Sequence, residues 1–487
     1  MVLIRPLVVA CVLVAGLAVH DVGRQLLRPH PIHAWEAALL ADGWRSAQGL
    51  PVYEEAERGH ATLMYGPLAP AALGAVFRST GPSFLPARLA ALASQAAVVA
   101  LLVWLFRPPG VRLAAVLAVT MCLGFGRVLC DFVEPRPDGA SILFGLLALL
   151  CFARALDRER WGWHVTGLAA LLLAVALKQP AAMVVAVPPV ALLLAGERHW
   201  SGVRLAMVVL PFAAVAALLA AWWAFAPLVF HYAVAVPARF AIDGAQAARM
   251  ATWLLLGVPL VWLGLALRLR APDPAARDAT AAWLVAAVLV TLPASVAVAA
   301  KAGGTENSLE PGFLALIALF LHASVPLERT LAPTGSARTD ARWDAFLAVL
   351  LLIAVLNGRL GQGGGAEATL GDPGFRRIVE RVRSLDGPVA SPQDPTVTLF
   401  ARGTVGRSLV VEYDAAGWPS KIPEWFFDDL DDARWAVTVG ARDDWRNWPL
   451  PPGTKESLLA ERGFEPEPTP ELDGSVYRLW KRARDAP

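Results

Sequence analysis

Apolar runs of membrane-crossing length alternate with short polar segments as far as residue 357, and there the alternation stops. The runs cover 2–20, 84–106, 112–130, 139–155, 162–178, 181–196, 203–226, 250–268, 279–300, 311–326 and 343–357. About 20 apolar residues in a helix cross some 30 Å of hydrocarbon, and these runs are near that length. The segment 66–78 is also apolar, but it is short and holds Pro67 and Pro70. A short or re-entrant helix is expected there, and whether it crosses decides the parity of the first spans. Met1–Val19 has the outline of a signal peptide, with Arg5 ahead of its apolar stretch. No convincing small-residue cleavage site follows and many spans come after it, so it reads as a retained first helix.

The loops at 107–112, 154–160, 197–204, 268–277 and 328–342 are rich in arginine, and alternate loops are less so. The positive-inside rule puts the basic set in the cytoplasm. On the other face then lie 21–66, 131–138, 178–180, 227–249, 301–310 and everything after 358.

Past Asn357 the character changes. A glycine-rich stretch, 358–374, reads as a linker. Residues 375–487 are soluble in composition. Helical spacing marks Phe375–Leu385, and short apolar runs at 397–400, 408–412, 434–439 and 476–480 are expected as strands. The expected fold class is an all-α polytopic membrane protein, residues 1–357, with about 11–12 transmembrane helices. A small C-terminal extracytoplasmic α/β domain, residues 375–487, completes it.

Composition agrees with this pattern. The chain is 56% hydrophobic and 17% charged, with a mean hydropathy of +0.51; a soluble domain is nearer a quarter charged. The net charge is +2 with no basic tract, so no nucleic-acid partner is expected. Cys11, Cys122, Cys130 and Cys151 all lie in or at the ends of apolar runs and read as inert buried thiols. The high Ala, Arg and Gly content points to a bacterial protein, and so to an inner-membrane location.

Four segments on the non-cytoplasmic face hold the polar residues that such a chain otherwise avoids. The first loop carries Glu36, Tyr53, His60 and Tyr65. Glu134, Arg136 and Asp138 stand between two spans, Lys178 and Gln179 at a span end, and Lys301, Glu306, Asn307 and Glu310 in a late loop. Ionisable groups at a membrane boundary are costly to desolvate, which makes them functional candidates. Each also has a plainer reading. Glu36 suits a solvated loop, Asp138 a helix cap, Arg136 a partner for Glu134 or a headgroup anchor, and Lys178 an interfacial anchor. Together they suit one task. A carboxylate takes a proton from an acceptor, while cations hold a phosphate-linked donor and stabilise the leaving phosphate. A lipid tail on that donor would need a groove beside the site.

In the order and spacing of these motifs the chain resembles the GT-C superfamily of integral-membrane glycosyltransferases. The bacterial branch related to protein mannosyltransferases and lipid A aminoarabinose transferases is the nearest pattern. The residues that carry the resemblance are Glu36, then Gly49-Leu50-Pro51-Val52-Tyr53, then Tyr65-Gly66-Pro67-Leu68. Arg136-Pro137-Asp138 opens a later span, and Lys301 to Asn307, followed by Glu310, fills the late loop. Trp35 stands where the family often has a first acidic residue, and Ser308 where it has a tyrosine.

The resemblance implies an inverting transferase that uses a polyprenyl-phosphate sugar outside the cytoplasm. It implies Glu36 as the acceptor-activating base and Asp138 as its support. Arg136, Lys178 and Lys301 are implied as contacts of the donor phosphate. Tyr53, His60, Tyr65, Glu134, Asn307 and Glu310 are the remaining substrate-binding candidates. The partners are then the sugar donor, a lipid, glycan or protein acceptor, and membrane lipid. These residues form no closed metal site, and a divalent cation bridging carboxylate and phosphate is the one cofactor left open. Two other readings stand beside the enzyme. A transporter or flippase would place ionisable groups near mid-membrane on broken helices, whereas here they sit at span ends. A non-catalytic assembly protein would use the tail tryptophans Trp418, Trp425, Trp435, Trp445 and Trp448 to stack on sugars, though a small hydrophobic core accounts for most of them.

Overall fold

A computed structural model describes residues 16, 19–20, 22–32, 34–106, 133–196, 201–257, 279–301, 304, 306–331, 374–416, 424–439 and 454–483. The expected spans 112–130 and 343–357, nearly all of 2–20, the second half of 250–268 and the 358–374 linker up to residue 373 fall outside them.

The first loop is not open coil. It folds into a helical pair, α1 (Ala34–Ala47) and α2 (Leu68–Thr80), joined by an irregular stretch. The 66–78 question is answered here. Thirteen residues make a helix of roughly 20 Å at 1.5 Å per residue, short of a full crossing. It packs along α1 instead. A Cβ on Gly43 of α1 would lie 2.6 Å from Leu73 Cγ of α2, so glycine is what allows the two axes to approach.

Further helices include α3 (Phe84–Phe106), α4 (Asp138–Arg158), α5 (Trp161–Leu177), α6 (Val187–Leu194), α7 (Gly202–Phe225), α8 (Gly244–Gly257), α9 (Ala279–Ala299) and α10 (Glu310–Leu331). Among the described residues, α3, α4, α7 and α9 are long and apolar enough to cross a membrane, and α5 and most of α10 are shorter apolar helices. The expected span 181–196 is built in two pieces. A 3₁₀ stretch, Gln179–Ala186, leads into α6. Pro188 and Pro189 have no N–H to offer the carbonyls of Val184 and Val185, so the α-ladder fails there and the turn tightens.

The C-terminal unit has helices α11 (Gly374–Ser384), α12 (Thr396–Arg402), α13 (Leu409–Ala415) and α14 (Thr454–Glu461), with strands β1 (Val389–Ala390), β2 (Trp435–Val439), β3 (Phe464–Pro466) and β4 (Tyr477–Arg482). The sheet order is β1-β2-β4-β3, parallel between β1 and β2 and antiparallel elsewhere. The helix over 375–385 and the strands near 434–439 and 476–480 are as expected. The runs at 397–400 and 408–412 are helices rather than strands. Four consecutive residues of α12 and all but Tyr413 of α13 are buried. A short helix buried nearly all round shows no 3.6-residue period, so its apolar run looks like a strand. Gly403, at φ +71°, ends α12 in the left-handed conformation.

One apolar core joins Leu39, Leu40, Phe77 and Phe84 of the first loop and α3 to Phe375, Ile378, Val411 and Leu479 of the C-terminal unit. Phe84 sits edge-on to Phe400 at 5.0 Å and to Phe375 at 5.8 Å. The first loop and the C-terminal unit therefore share one core.

Candidate active site

The polar ends of α4 and α5 meet at one point. Asp138 opens α4 and Lys178 caps α5, and Lys178 Nζ donates to Asp138 Oδ1. The pair is nearly buried, with 5% and 17% of the two side chains exposed. Ser141 Oγ, one turn below, donates to the Ala174 carbonyl at 3.0 Å and ties the helices together.

The first loop closes over this corner. Tyr65 lies with its ring 5.7 Å from Lys178 Nζ, within range of a cation–π contact. Gly66 N–H donates to the Leu177 carbonyl at 3.1 Å, and a Cβ on Gly66 would sit 2.1 Å from the Ala176 oxygen. The Tyr-Gly-Pro element is thus a backbone-to-backbone seat on the end of α5. Gln179 Nε2 reaches back to the Met64 carbonyl at 3.1 Å. Tyr53 Oη donates to the Tyr65 carbonyl at 3.0 Å, and Tyr232 Oη to the Glu54 carbonyl at 2.8 Å.

Below Asp138 and Lys178 runs a cavity of about 990 Å³. Asp138, Lys178, Ser141, Ser295 and Ser308 line its near end. Ile142, Leu146, Leu149, Val184, Leu314 and Ala315 form apolar walls, and Arg154, Asp157, Thr280, Trp283 and His322 line the far end. From Asp138 to Asp157 along α4 is roughly 28 Å at 1.5 Å per residue, close to the thickness of the hydrocarbon core. Gly145 lines the wall.

The other candidates make different contacts. Glu36 is fully buried and takes Arg88 side-on: Nε to Oε1 at 2.7 Å and Nη2 to Oε2 at 2.9 Å. Arg88 spends its remaining donors on the carbonyls of Gln25, Arg28 and His30. Glu134 pairs with Arg136 at 2.7 Å. Lys301 Nζ donates to the Pro237 carbonyl at 2.8 Å, holding its loop against 237–246. Glu310 is buried in the first turn of α10, where a carboxylate is favoured by the helix dipole. His60 contacts Glu54 at 3.6 Å, and burial, with Arg45 nearby, holds its imidazole below the ordinary range. The side chain of Asn307 lies outside the described residues. Of the eleven candidates, the structure brings together Asp138, Lys178 and Tyr65, with Tyr53 one hydrogen bond behind.

Several residues that shape this region were not singled out from the sequence. Arg88 is the one with a signal, since it is a lone charge five residues into an apolar run. Asp42 accepts from Thr62 Oγ1 at 2.6 Å and from Leu63 N–H at 3.3 Å, and burial raises its carboxyl to about 6. Glu412, from the C-terminal unit, is fully buried against the first loop, and burial raises its carboxyl to about 8. Among the described residues, no three His, Cys, Asp or Glu side chains converge as metal ligands.

A helical membrane body, a helical pair packed with it and a small mixed sheet sharing that pair's core make up the fold. Two crystal structures of ArnT from Cupriavidus metallidurans superpose on nearly the whole chain. For the form bound to undecaprenyl phosphate the TM-score is 0.57, with 14% identity over 97% of this chain and 98% of that one. For the apo form it is 0.53, with 14% identity over 96% and 97%. The family model described as dolichyl-phosphate-mannose-protein mannosyltransferase matches residues 65–225, the stretch that holds Tyr65, Asp138 and Lys178. No curated protein matches the sequence. The resemblance read from the motifs is borne out by this family match and by the fold.

Proposed function

We propose that this chain is a membrane glycosyltransferase that moves a sugar from a polyprenyl-phosphate donor to an acceptor hydroxyl or amine outside the cytoplasm, with inversion. The observation that carries this reading is the long apolar cavity with a lysine–aspartate pair at one end. A phosphate on a long hydrocarbon chain is the ligand class that matches both parts. The fold shared with ArnT, crystallised with undecaprenyl phosphate, supports the same class.

In this reading Lys178 meets the donor phosphate, and Tyr65 and Asp138 hold its ammonium in place. The acceptor attacks the anomeric carbon from the face opposite the phosphate. The bond from that carbon to the phosphate oxygen breaks, and the polyprenyl phosphate leaves with its charge stabilised by Lys178. The acceptor's proton passes to a carboxylate. Asp138 is the carboxylate at this end of the cavity. Glu36, the base that the resemblance implies, has both oxygens on Arg88, and we assign it to holding the loop entrance. A flippase reading is less well supported, because the middle of the cavity is apolar and the charged lining residues stand at its ends.

The test is transfer from labelled polyprenyl-phosphate sugars to a membrane extract by purified protein in liposomes. Lys178→Ala is expected to lose donor binding. Asp138→Asn is expected to bind donor and lose on the order of a hundredfold in turnover, the scale of a general base. Donor crossing the bilayer without transfer would turn the reading to a flippase.

A further inference from the structure

Residues 51–67 form an irregular loop, and its shape is set by buried polar anchors rather than by a backbone ladder. Two of those anchors come from about 350 residues away. Arg407 Nη1 donates to the Ala56 carbonyl at 2.6 Å, and Glu412 Oε1 accepts from the Ala61 N–H at 3.0 Å. Arg407 is 5% exposed and Glu412 is fully buried. They face each other at 3.4 Å. Arg407 is braced on its own side by Asp428 at 3.2 Å, Asp429 at 3.8 Å and the Trp425 ring at 5.6 Å. A guanidinium held by two carboxylates and an aromatic face has few rotamers left to lose, so its grip on Ala56 is preorganised.

What these anchors hold is the loop that ends on the phosphate corner. Tyr53 and Glu54 lie just ahead of Ala56. Tyr53 is bonded to the Tyr65 carbonyl, and the Tyr65 ring lies against Lys178. We propose that the C-terminal domain is a clasp on the 51–67 loop, in which Arg407 and Glu412 are positioning residues that set Tyr65, and through it Lys178, for the donor phosphate. This rests on the donor reading given above.

The test uses the full chain in detergent, with two readouts. Arg58, 84% exposed at the loop tip, is the tryptic site, and undecaprenyl phosphate is the binding probe. Arg407→Ala and Glu412→Ala are each expected to raise cleavage after Arg58 by about tenfold, since cleavage follows the open population. Each is also expected to weaken probe binding by roughly tenfold. Arg407→Lys should recover part of both. Glu412→Ala leaves the Arg407 brace intact, so it separates the clasp from any loosening of the C-terminal domain. Tyr53→Phe should weaken probe binding while Arg58 stays protected. Unchanged cleavage in both alanine variants overturns the clasp. Raised cleavage with unchanged probe affinity overturns the positioning role. A wild type that binds no probe overturns the donor reading instead, and the Arg58 readout still decides the clasp.

Discussion

Arg88 holds both carboxylate oxygens of Glu36, at 2.7 and 2.9 Å, where neither side chain has any exposed surface. The same guanidinium binds the carbonyls of Gln25, Arg28 and His30. An arginine with five hydrogen bonds fixes how the chain enters α1. Breaking such a buried pair leaves an uncompensated charge, which costs about 3–5 kcal/mol. Glu36→Ala is therefore expected to lower the thermal midpoint strongly in detergent, and Arg88→Met to do the same. The double variant should recover part of the loss, because it buries no lone charge. If Glu36→Gln melts like wild type yet cannot transfer sugar, Glu36 is a base after all.

The membrane body could be read in the sequence because each helix announces itself by length and apolarity. The runs at 84–106, 139–155 and 203–226 became α3, α4 and α7 nearly residue for residue. Asp138 and Lys178 could be read as well, as charges at span ends. Their meeting could not, since 40 residues and a helical hairpin separate them. The ion pair of Glu36 was hidden for a related reason. Its partner Arg88 sits inside the next apolar run, where a hydropathy window averages it away. The helices at Thr396–Arg402 and Leu409–Ala415 were hidden by burial, which erases the period that tells helix from strand.

Gly66 gives a sharper test of the proposed phosphate corner than any charged residue. Its Cβ would lie 2.1 Å from the Ala176 carbonyl oxygen, a backbone atom that cannot swing aside. Gly66→Ala must part the first loop from α5 and break the bond to the Leu177 carbonyl. Overpacking of this kind costs about 1–3 kcal/mol. The expected result is a modest fall in melting temperature with a larger fall in affinity for undecaprenyl phosphate, because Tyr65 is carried away from Lys178. Equal affinity in the variant would show that the seat of Tyr65 does not matter to the ligand.

Proton binding at the shared core sets a pH dependence of stability. Burial raises Glu412 to about 8, against weaker opposing help from the Ala61 N–H and Arg407. Burial also raises Asp42 and Asp394 to about 6. Each of these groups binds its proton more tightly folded than unfolded. The stabilisation is therefore fully present below their ordinary values of 4.5 and 3.8 and is lost as pH rises through the raised ones. Thermal midpoints are expected to fall between about pH 5 and pH 8, with Glu412 governing the upper part of that range. Glu412→Gln cannot ionise, so its profile should be flatter above about pH 6. A wild-type midpoint that climbs across the same range would contradict the burial of these carboxyls.

The apolar cavity makes a prediction about chain length. It runs roughly 28 Å along α4, about twice the depth of one leaflet of a 30 Å core. A chain that fills it packs against both ends, whereas a short chain leaves the Trp283 end without contacts. In a bilayer the gain comes from packing rather than from leaving water, since lipid tails are as apolar as the walls. A modest preference is expected, on the order of tenfold for undecaprenyl over farnesyl phosphate. Gly145 offers a way to cut the channel. It stands roughly 10 Å below Asp138 at 1.5 Å per residue, and a Cβ there meets only Val184 Cγ2, at an ordinary 3.7 Å. Gly145→Phe can therefore project across the groove without forcing the helices apart. The variant should lose the preference for the longer chain. If it keeps that preference, the hydrocarbon chain lies outside this groove, and Lys178 would meet the phosphate with the tail in the surrounding lipid.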